Sequence, residues 1–427
     1  MSGLAKITLL SVVFVDLLGQ GLAFPIINSL IMDSNSPLLA SGTPVSLRHF
    51  YFGLTIGVFF LCWFFGAPYI SRISDVIGRK KAILICLVGA VAGYVITIIA
   101  LDIGSLSLLI LGRAITGFTA GNQPIAQAAM IDGSNSDRER NRNMGLIITG
   151  FSLGLIGGPL IAGLTSTPLV LGPLGTIKMP FYVALGLCVL TILMVAVYFK
   201  ESRETESTFV FRPSEIVGQI LRVKDYPIAL RLTIGLFFFH VTAVIMYVFV
   251  DNYLSTRFGF GTFGSSMAFL VIGAAQALAG TWCVVPAQRY LAKEKIVVTT
   301  MVLFAASTLA FVAAPTPAWS FLPIFIFFFA FGIGYPTVLG LFAASVSADE
   351  QGWVMGVTVA VFTLIAGVMS VAGGILIDIA LRLPFYIATA AAIGMIAVVR
   401  TVWQVPEMKN ITGSAVDLPR QTAEQKD

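Results

Sequence analysis

Twelve apolar runs, each about twenty or more residues long, leave this chain few folds to choose from. They fall at roughly 6–30, 50–71, 82–101, 105–131, 143–165, 179–199, 229–253, 264–286, 296–315, 319–346, 352–377 and 383–405. A helix of about 20 residues crosses a hydrocarbon core ~30 Å thick while satisfying its own backbone polar groups. Only 11% of the residues are charged and 57% are hydrophobic, with mean hydropathy +0.93. A soluble domain carries roughly a quarter charged residues. The expected fold class is an all-α membrane protein with twelve transmembrane helices.

The first run contains Asp16 and is longer than the ~7–15-residue core of a signal peptide, so it is read as the first span. Numbered from the N-terminus, the even links between runs hold sixteen Lys and Arg residues. The odd links hold only Arg48, Lys178, Arg257 and Arg382. Basic residues concentrate on the cytoplasmic side, so both termini and the central link are expected there. The net charge of +5 is therefore read as sided membrane charge and not as a nucleic-acid footprint.

The widest break, Lys200 to Tyr226, separates six spans from six. It divides the chain into an N-terminal six-helix bundle (1–199), a cytoplasmic linker (200–228), a C-terminal six-helix bundle (229–406) and a polar cytoplasmic tail (407–427). Pro213–Val223 reads as a short amphipathic surface helix. Met144-Gly145 opens the fifth span and Met355-Gly356 the eleventh, with Gly163 and Gly374 at the same offset. A duplicated six-helix unit pairs these two spans, so the two bundles are expected to be pseudo-symmetric.

The link after the second span reads S-R-I-S-D-V-I-G-R-K-K, Ser71 to Lys81. Gly78 allows a tight reversal, and Asp75 can cap a helix N-terminus or pair with an arginine. Asp75-x-x-Gly78-Arg79-Lys80 resembles the loop between spans two and three of the major facilitator superfamily, with Ser71 and Val76 departing from that pattern. The resemblance implies a cytoplasmic gate at Asp75, Gly78, Arg79 and Lys80, latching that side near the start of span eleven. In the fifth span, Gly150, Gly154 and Gly158 recur every fourth residue and make a smooth stripe for a close neighbour, and Pro159 bends the helix. Gly154-x-x-Gly157-Gly158-Pro159-x-x-x-Gly163 resembles the family's antiporter motif. L-G-R-A-I-T-G-F-T-A-G around Arg113 resembles its fourth-span motif, whose arginine is linked to proton coupling. Asp16-x-x-Gly19-x-Gly21-x-x-x-Pro25 resembles the first span of the tetracycline and multidrug efflux branch.

Asp16 is the only carboxylate this reading finds deep in a span. It lies ~14 Å from Ile7 and Arg113 lies ~12 Å from Ser105, so both fall near the midplane of the core. Ionisable groups at that depth face a partner or a water-filled cavity. Asp16 and Arg113 are the expected proton-coupling pair. Gln20, Asn122, Gln123, His240, Tyr247, Gln276 and Tyr335 are the substrate-cavity candidates. Asn28 and Gln127 are further polar positions suited to bonds between helices.

Cys62, Cys86, Cys188 and Cys283 lie inside apolar runs without metal-ligand spacing, and no phosphate loop, HExxH pair or nucleophile elbow occurs. The chain is expected to be no enzyme, to hold no metal or cofactor, and to be a monomer in the bacterial inner (cell) membrane. The resemblance implies a secondary transporter that exports a small organic molecule by proton antiport through alternating access. A proton-coupled importer of a metabolite or metal chelate is the alternative on the same fold. A non-transporting receptor or lipid-handling protein is the third reading.

Overall fold

The computed structural model describes residues 1–134, 136–201, 218, 220–347 and 350–413. The surface helix expected at Pro213–Val223 and the last part of the tail fall largely outside the described residues. Among those described there is helix and no strand. Eleven helices are long and apolar enough to cross a membrane. They are α1 (Gly3–Met32), α2 (Val45–Ile77), α3 (Arg79–Ile103), α6 (Asp137–Thr165), α7 (Met179–Tyr198), α8 (Pro227–Phe258), α9 (Thr262–Tyr290), α10 (Lys293–Ala313), α11 (Pro317–Ala344), α12 (Gln351–Ile379) and α13 (Leu383–Thr401).

The twelfth span is the fourth in chain order, and it is broken. Where the sequence predicts one helix over 105–131, α4 (Leu106–Phe118) and α5 (Asn122–Asp132) are separated at Thr119–Gly121. Pro124 has no N–H to return to Ala120, and Gly117 and Gly121 weaken the helix just before it. The start of the polar tail is helical. Pro406–Thr412 forms α14, anchored by the fully buried Met408.

The chain packs as two compact units. The first comprises Met1–Ile216 with Asp251–Leu270 and Ser370–Asp378. Its core has two apolar clusters. One gathers Leu9, Val12, Ile83, Leu87, Met130 and Phe199; the other gathers Leu22, Ile26, Ile98, Leu109 and Phe181. Asp16 sits on α1 between these two clusters. At one end of this unit Lys6 pairs with Glu139 at 2.7 Å. At the other, buried Arg48 donates to the carbonyls of Ile31 and Asp33 at 2.8 and 2.6 Å, satisfying the C-terminal end of α1.

The second unit comprises Val217–Val250, Val271–Met369 and Ile379–Asp427. Its core is aromatic. Phe304 and Phe327 stack at 3.9 Å between ring centroids, and Phe239 and Phe331 pack beside Phe304. Trp403 is buried and donates its indole N–H to Arg231 O at 3.1 Å. Large apolar side chains stay exposed, as a lipid-facing surface requires: Trp282, Val285, Trp319 and Ile379 are each at least 60% exposed. Of the three consecutive phenylalanines, Phe237 is exposed and Phe239 is buried. Cys86 and Cys188 are buried and Cys62 and Cys283 half-buried, all as free thiols.

Candidate transport site

Asp16 and Gln20 of α1, Arg113 of α4 and Asn122 of α5 line one pocket in the first unit. Phe59, Tyr94, Thr116, Thr119 and Cys188 also belong to its wall. The break between α4 and α5 places Asn122 at the first position of α5, where its side chain lies beside Asp16. Asp16 forms no ion pair with Arg113. The Arg113 guanidinium lies over the face of Phe59, 4.2 Å from the ring centroid. Its Nε and Nη2 are buried and have no hydrogen-bond partner. A desolvated cation over an aromatic face gains about 2 kcal/mol from the ring quadrupole.

The approach of α4 to α2 is what brings that ring within reach. A Cβ on Gly66 would lie 1.9 Å from Phe118 O, and one on Gly117 would lie 2.2 Å from Phe59 O. Neither position tolerates a side chain. Tyr94 closes the pocket from α3, and its hydroxyl presses on Gly19 so closely that a Cβ there would lie 1.9 Å away. Tyr94 is a wall residue the sequence reading missed. It is the one tyrosine in the third span, and its Arg113 proximity arises from tertiary packing.

The glycine stripe of α6 meets α1, the helix that carries Asp16. A Cβ on Gly154 would lie 2.5 Å from Phe14 O, and one on Gly158 would lie 2.5 Å from Leu18 O. Gly157 faces the Phe14 ring, and Pro159 Cδ approaches Gly21. Gly163 stands apart from that contact, against Ser266 of α9. The expected small-residue contact therefore exists, and its partner fixes the helix that presents the pocket acid.

Between α2 and α3 the reversal turns on Gly78, whose φ of +96° favours glycine. Of the two roles open to Asp75, pairing is the one observed: it bonds Arg79 Nη1 at 2.8 Å. Arg79 is buried and also bonds Asp132 Oδ2 at 3.1 Å and Ser74 Oγ at 2.6 Å. The N-terminus of α3 is capped instead by Glu201, which accepts from Arg79 N at 2.8 Å and Lys80 N at 3.1 Å. Lys80 Nζ donates to Ala196 O at 2.7 Å. Glu201 lies 121 residues from Lys80, so no local pattern could announce it.

Residues 9–368 match the Major Facilitator Superfamily. The chain belongs to that superfamily. Relatives within it include the class D tetracycline resistance protein of Salmonella ordonez, 28% identical over 83% of this chain and 85% of that protein. The class B tetracycline resistance protein of Escherichia coli is 26% identical over 84% of each. Two crystal structures share the fold. The human organic anion transporter MFSD10 (TETRAN) gives a TM-score of 0.69 at 19% identity, covering 93% of this chain and 100% of the other. A D-xylose-proton symporter gives 0.74 at 13% identity, covering 96% and 99%. Members of the superfamily are transporters and not enzymes, and this facilitator is a multi-pass membrane transporter.

The remaining candidates of this facilitator are not among the residues that line the Asp16 pocket. His240 is buried in the second unit among the rings of Phe239, Tyr335 and Phe362, with centroids 5.3–5.9 Å apart. Tyr335 also stacks on Phe331 at 5.1 Å, and Tyr247 packs edge-on to Phe328 at 6.1 Å. Gln276 is half-buried beside Gly332, and Gln123 is half-buried next to Asn122. One expectation is corrected. Asp16 is not the only deep carboxylate, because Asp251 on α8 is 1% exposed. The helix runs on to Phe258 rather than ending near 253, which moves Asp251 from a span edge into a helix interior.

Proposed function

We propose that this facilitator exports a small organic molecule in exchange for protons, with Asp16 carrying the coupled proton. One observation carries the reading: a carboxylate with no ion-pair partner shares a pocket with the polar side chains of Gln20 and Asn122 and with the Arg113 cation. An acid held in a salt bridge would be committed to its partner. An acid bonded only to neutral groups can lose and regain a proton without leaving a buried cation orphaned. Protonation from outside discharges Asp16 and releases a bound cationic or polar substrate. Deprotonation to the cytoplasm restores the charge that binds the next one. Arg113 lies in the same wall and sets the potential that the acid and the substrate share.

The six-helix halves, 1–199 and 229–406, alternate access to this site, joined by the linker 200–228 and followed by the cytoplasmic tail 407–427. Asp75, Gly78, Arg79 and Lys80 form the cytoplasmic gate. The membrane is the bacterial inner membrane with both termini inside. Tetracycline is the first substrate to try, because the curated relatives are named for resistance to it.

The test is uptake of labelled tetracycline into proteoliposomes of inverted orientation under an imposed pH gradient. Wild type should accumulate the compound when the lumen is acid, and Asp16→Asn should lose that accumulation while still binding the compound. Full gradient-driven accumulation by Asp16→Asn would move the proton site elsewhere. Accumulation only with the gradient reversed would make the chain an importer.

A further inference from the structure

Asp251 lies among polar groups that no established role accounts for. Its carboxylate has the Ser265 hydroxyl of α9 and the Asn28 amide of α1 as polar neighbours. Neither carboxylate oxygen has a partner in hydrogen-bond geometry. Asn252, the next residue on α8, donates from Nδ2 to Asn28 Oδ1 at 3.1 Å. Asn252 Oδ1, Asn28 Nδ2 and Ser265 Oγ are likewise buried without a partner, in residues that are 0% exposed. All of these residues belong to the first compact unit, in which the segment Asp251–Leu270 touches α1 through Asn252–Asn28, Thr262–Ser29 and Phe269–Phe24. A little further along, Ser29 and Thr262 share a hydroxyl bond of 2.8 Å.

No cation answers this carboxylate among the described residues. On α1 the nearest charged residue in sequence is Asp33, an acid. The part of α9 in this unit, Thr262–Leu270, carries no charged residue. Arg257, on α8 itself, bonds Tyr253 and lies over the Phe258 ring. Arg48 of α2 is held by the carbonyls of Ile31, Asp33 and Thr43. His49 of α2 has Asp378 of α12 as its charged neighbour. An ionised carboxylate in such a place faces two neutral polar groups and no cation, which offset only part of the cost of leaving water. A protonated one carries no charge, and its O–H can donate to Asn252 Oδ1, an acceptor that is buried and unpartnered here.

We propose that Asp251 is a second proton-binding site of this facilitator, and that its protonated form holds the segment Asp251–Leu270 against α1. Losing the proton leaves a bare charge between α1 and α9. The contact then opens to admit water, which solvates the carboxylate. The ligand is a proton, and the site is separate from Asp16. It stands whatever the transported compound proves to be.

The test uses the full chain in detergent, with Cys62, Cys86, Cys188 and Cys283 replaced and nitroxide labels at Ser41 and Thr256. Both positions are exposed. Pulsed dipolar distances are measured between about pH 5 and about pH 9, a range wide enough for a buried carboxyl to titrate. Wild type should give one short distance in acid and gain a longer population as the pH rises. Asp251→Asn should keep the short distance throughout, and Asp251→Ser replaces it in the test if the first variant fails to fold. Asp16→Asn should leave the transition in place, which separates this site from the proposed coupling acid. The proposal is overturned by a pH-independent wild type, or by a transition that survives in Asp251→Asn. It is also overturned if the transition vanishes in Asp16→Asn, or if it follows sodium at fixed pH.

Discussion

Arg79 and Arg113 are both buried, and they meet the cost of burial in different ways. Arg79 spends its donors on two carboxylates and a hydroxyl. Arg113 keeps its charge over a ring and leaves two nitrogens without partners. The first arrangement suits a fixed joint, and the second leaves a cation available to a ligand in the pocket. Arg113→Lys should therefore be far from neutral. A lysine ammonium keeps the charge but lacks the planar face that lies on Phe59, and it is more strongly hydrated. Gradient-driven transport should fall at least tenfold with folded yield little changed, as read by flux and by size-exclusion profile. Wild-type flux in this variant would show that only the charge matters. A surface acid gives a second residue-scale prediction. The Tyr226 hydroxyl donates to Glu350 and holds its carboxyl below the ordinary range, with Arg222 at 2.8 Å adding to the effect. Because the folded value is lowered, the stabilising link is present above the unfolded value and is lost as the pH falls through the folded one. Tryptic cleavage at Arg222 and Lys224 should rise in Glu350→Gln at neutral pH, and equal cleavage rates would show that the link is idle.

At the scale of elements, the contact of α6 with α1 fixes the position of Asp16. Helices associate in lipid through close backbone packing, since lipid tails are as apolar as the side chains they replace. Gly158 faces Leu18 O in this contact, with no room for a methyl group. Gly158→Ala should cost about 1–3 kcal/mol through overpacking. The thermal midpoint of the purified protein should fall, and α1 should shift enough to impair transport. An unchanged midpoint would mean that the two helices can separate freely. The cap on α3 is the second element-scale device. Glu201 answers two backbone donors at a helix N-terminus, so Glu201→Ala should cost about 0.5–2 kcal/mol. The same thermal measurement checks it, and Glu201→Gln should recover part of the loss because an amide oxygen still accepts.

For the whole molecule, orientation is the property to test. The basic bias assigns the side with Arg79 and α14 to the cytoplasm. In a cysteine-free background, a cysteine at Ser41 should react with an impermeant maleimide on intact cells. One at Asn410 should react only after permeabilisation. Both positions are exposed, whereas Ser36 in the same link as Ser41 is 6% exposed and would label poorly on either side. External labelling of Asn410 would invert the topology and with it the direction of every proton step proposed here.

Much of this protein is legible in one dimension, because the bilayer imposes its rules locally. Run length alone specified helices that cross the membrane, and the cost of unpaired backbone in lipid made any other element untenable. The glycine period on α6 announced a close contact, and the rarity of charge in lipid singled out Asp16 and Arg113. Their meeting in one pocket followed from matching depth. What lay beyond the sequence was whatever depends on which distant element arrives. The partner of Arg113 proved to be the Phe59 ring and not Asp16, because the mutual approach of α2 and α4 at Gly66 and Gly117 decides what lies over the guanidinium. Glu201 reaches the start of α3 from the far end of α7. Asp251 looked like a span edge until the helix proved longer and two other helices covered it. Local hydropathy reports what a residue costs to bury, and only packing decides which residues pay that cost and beside whom.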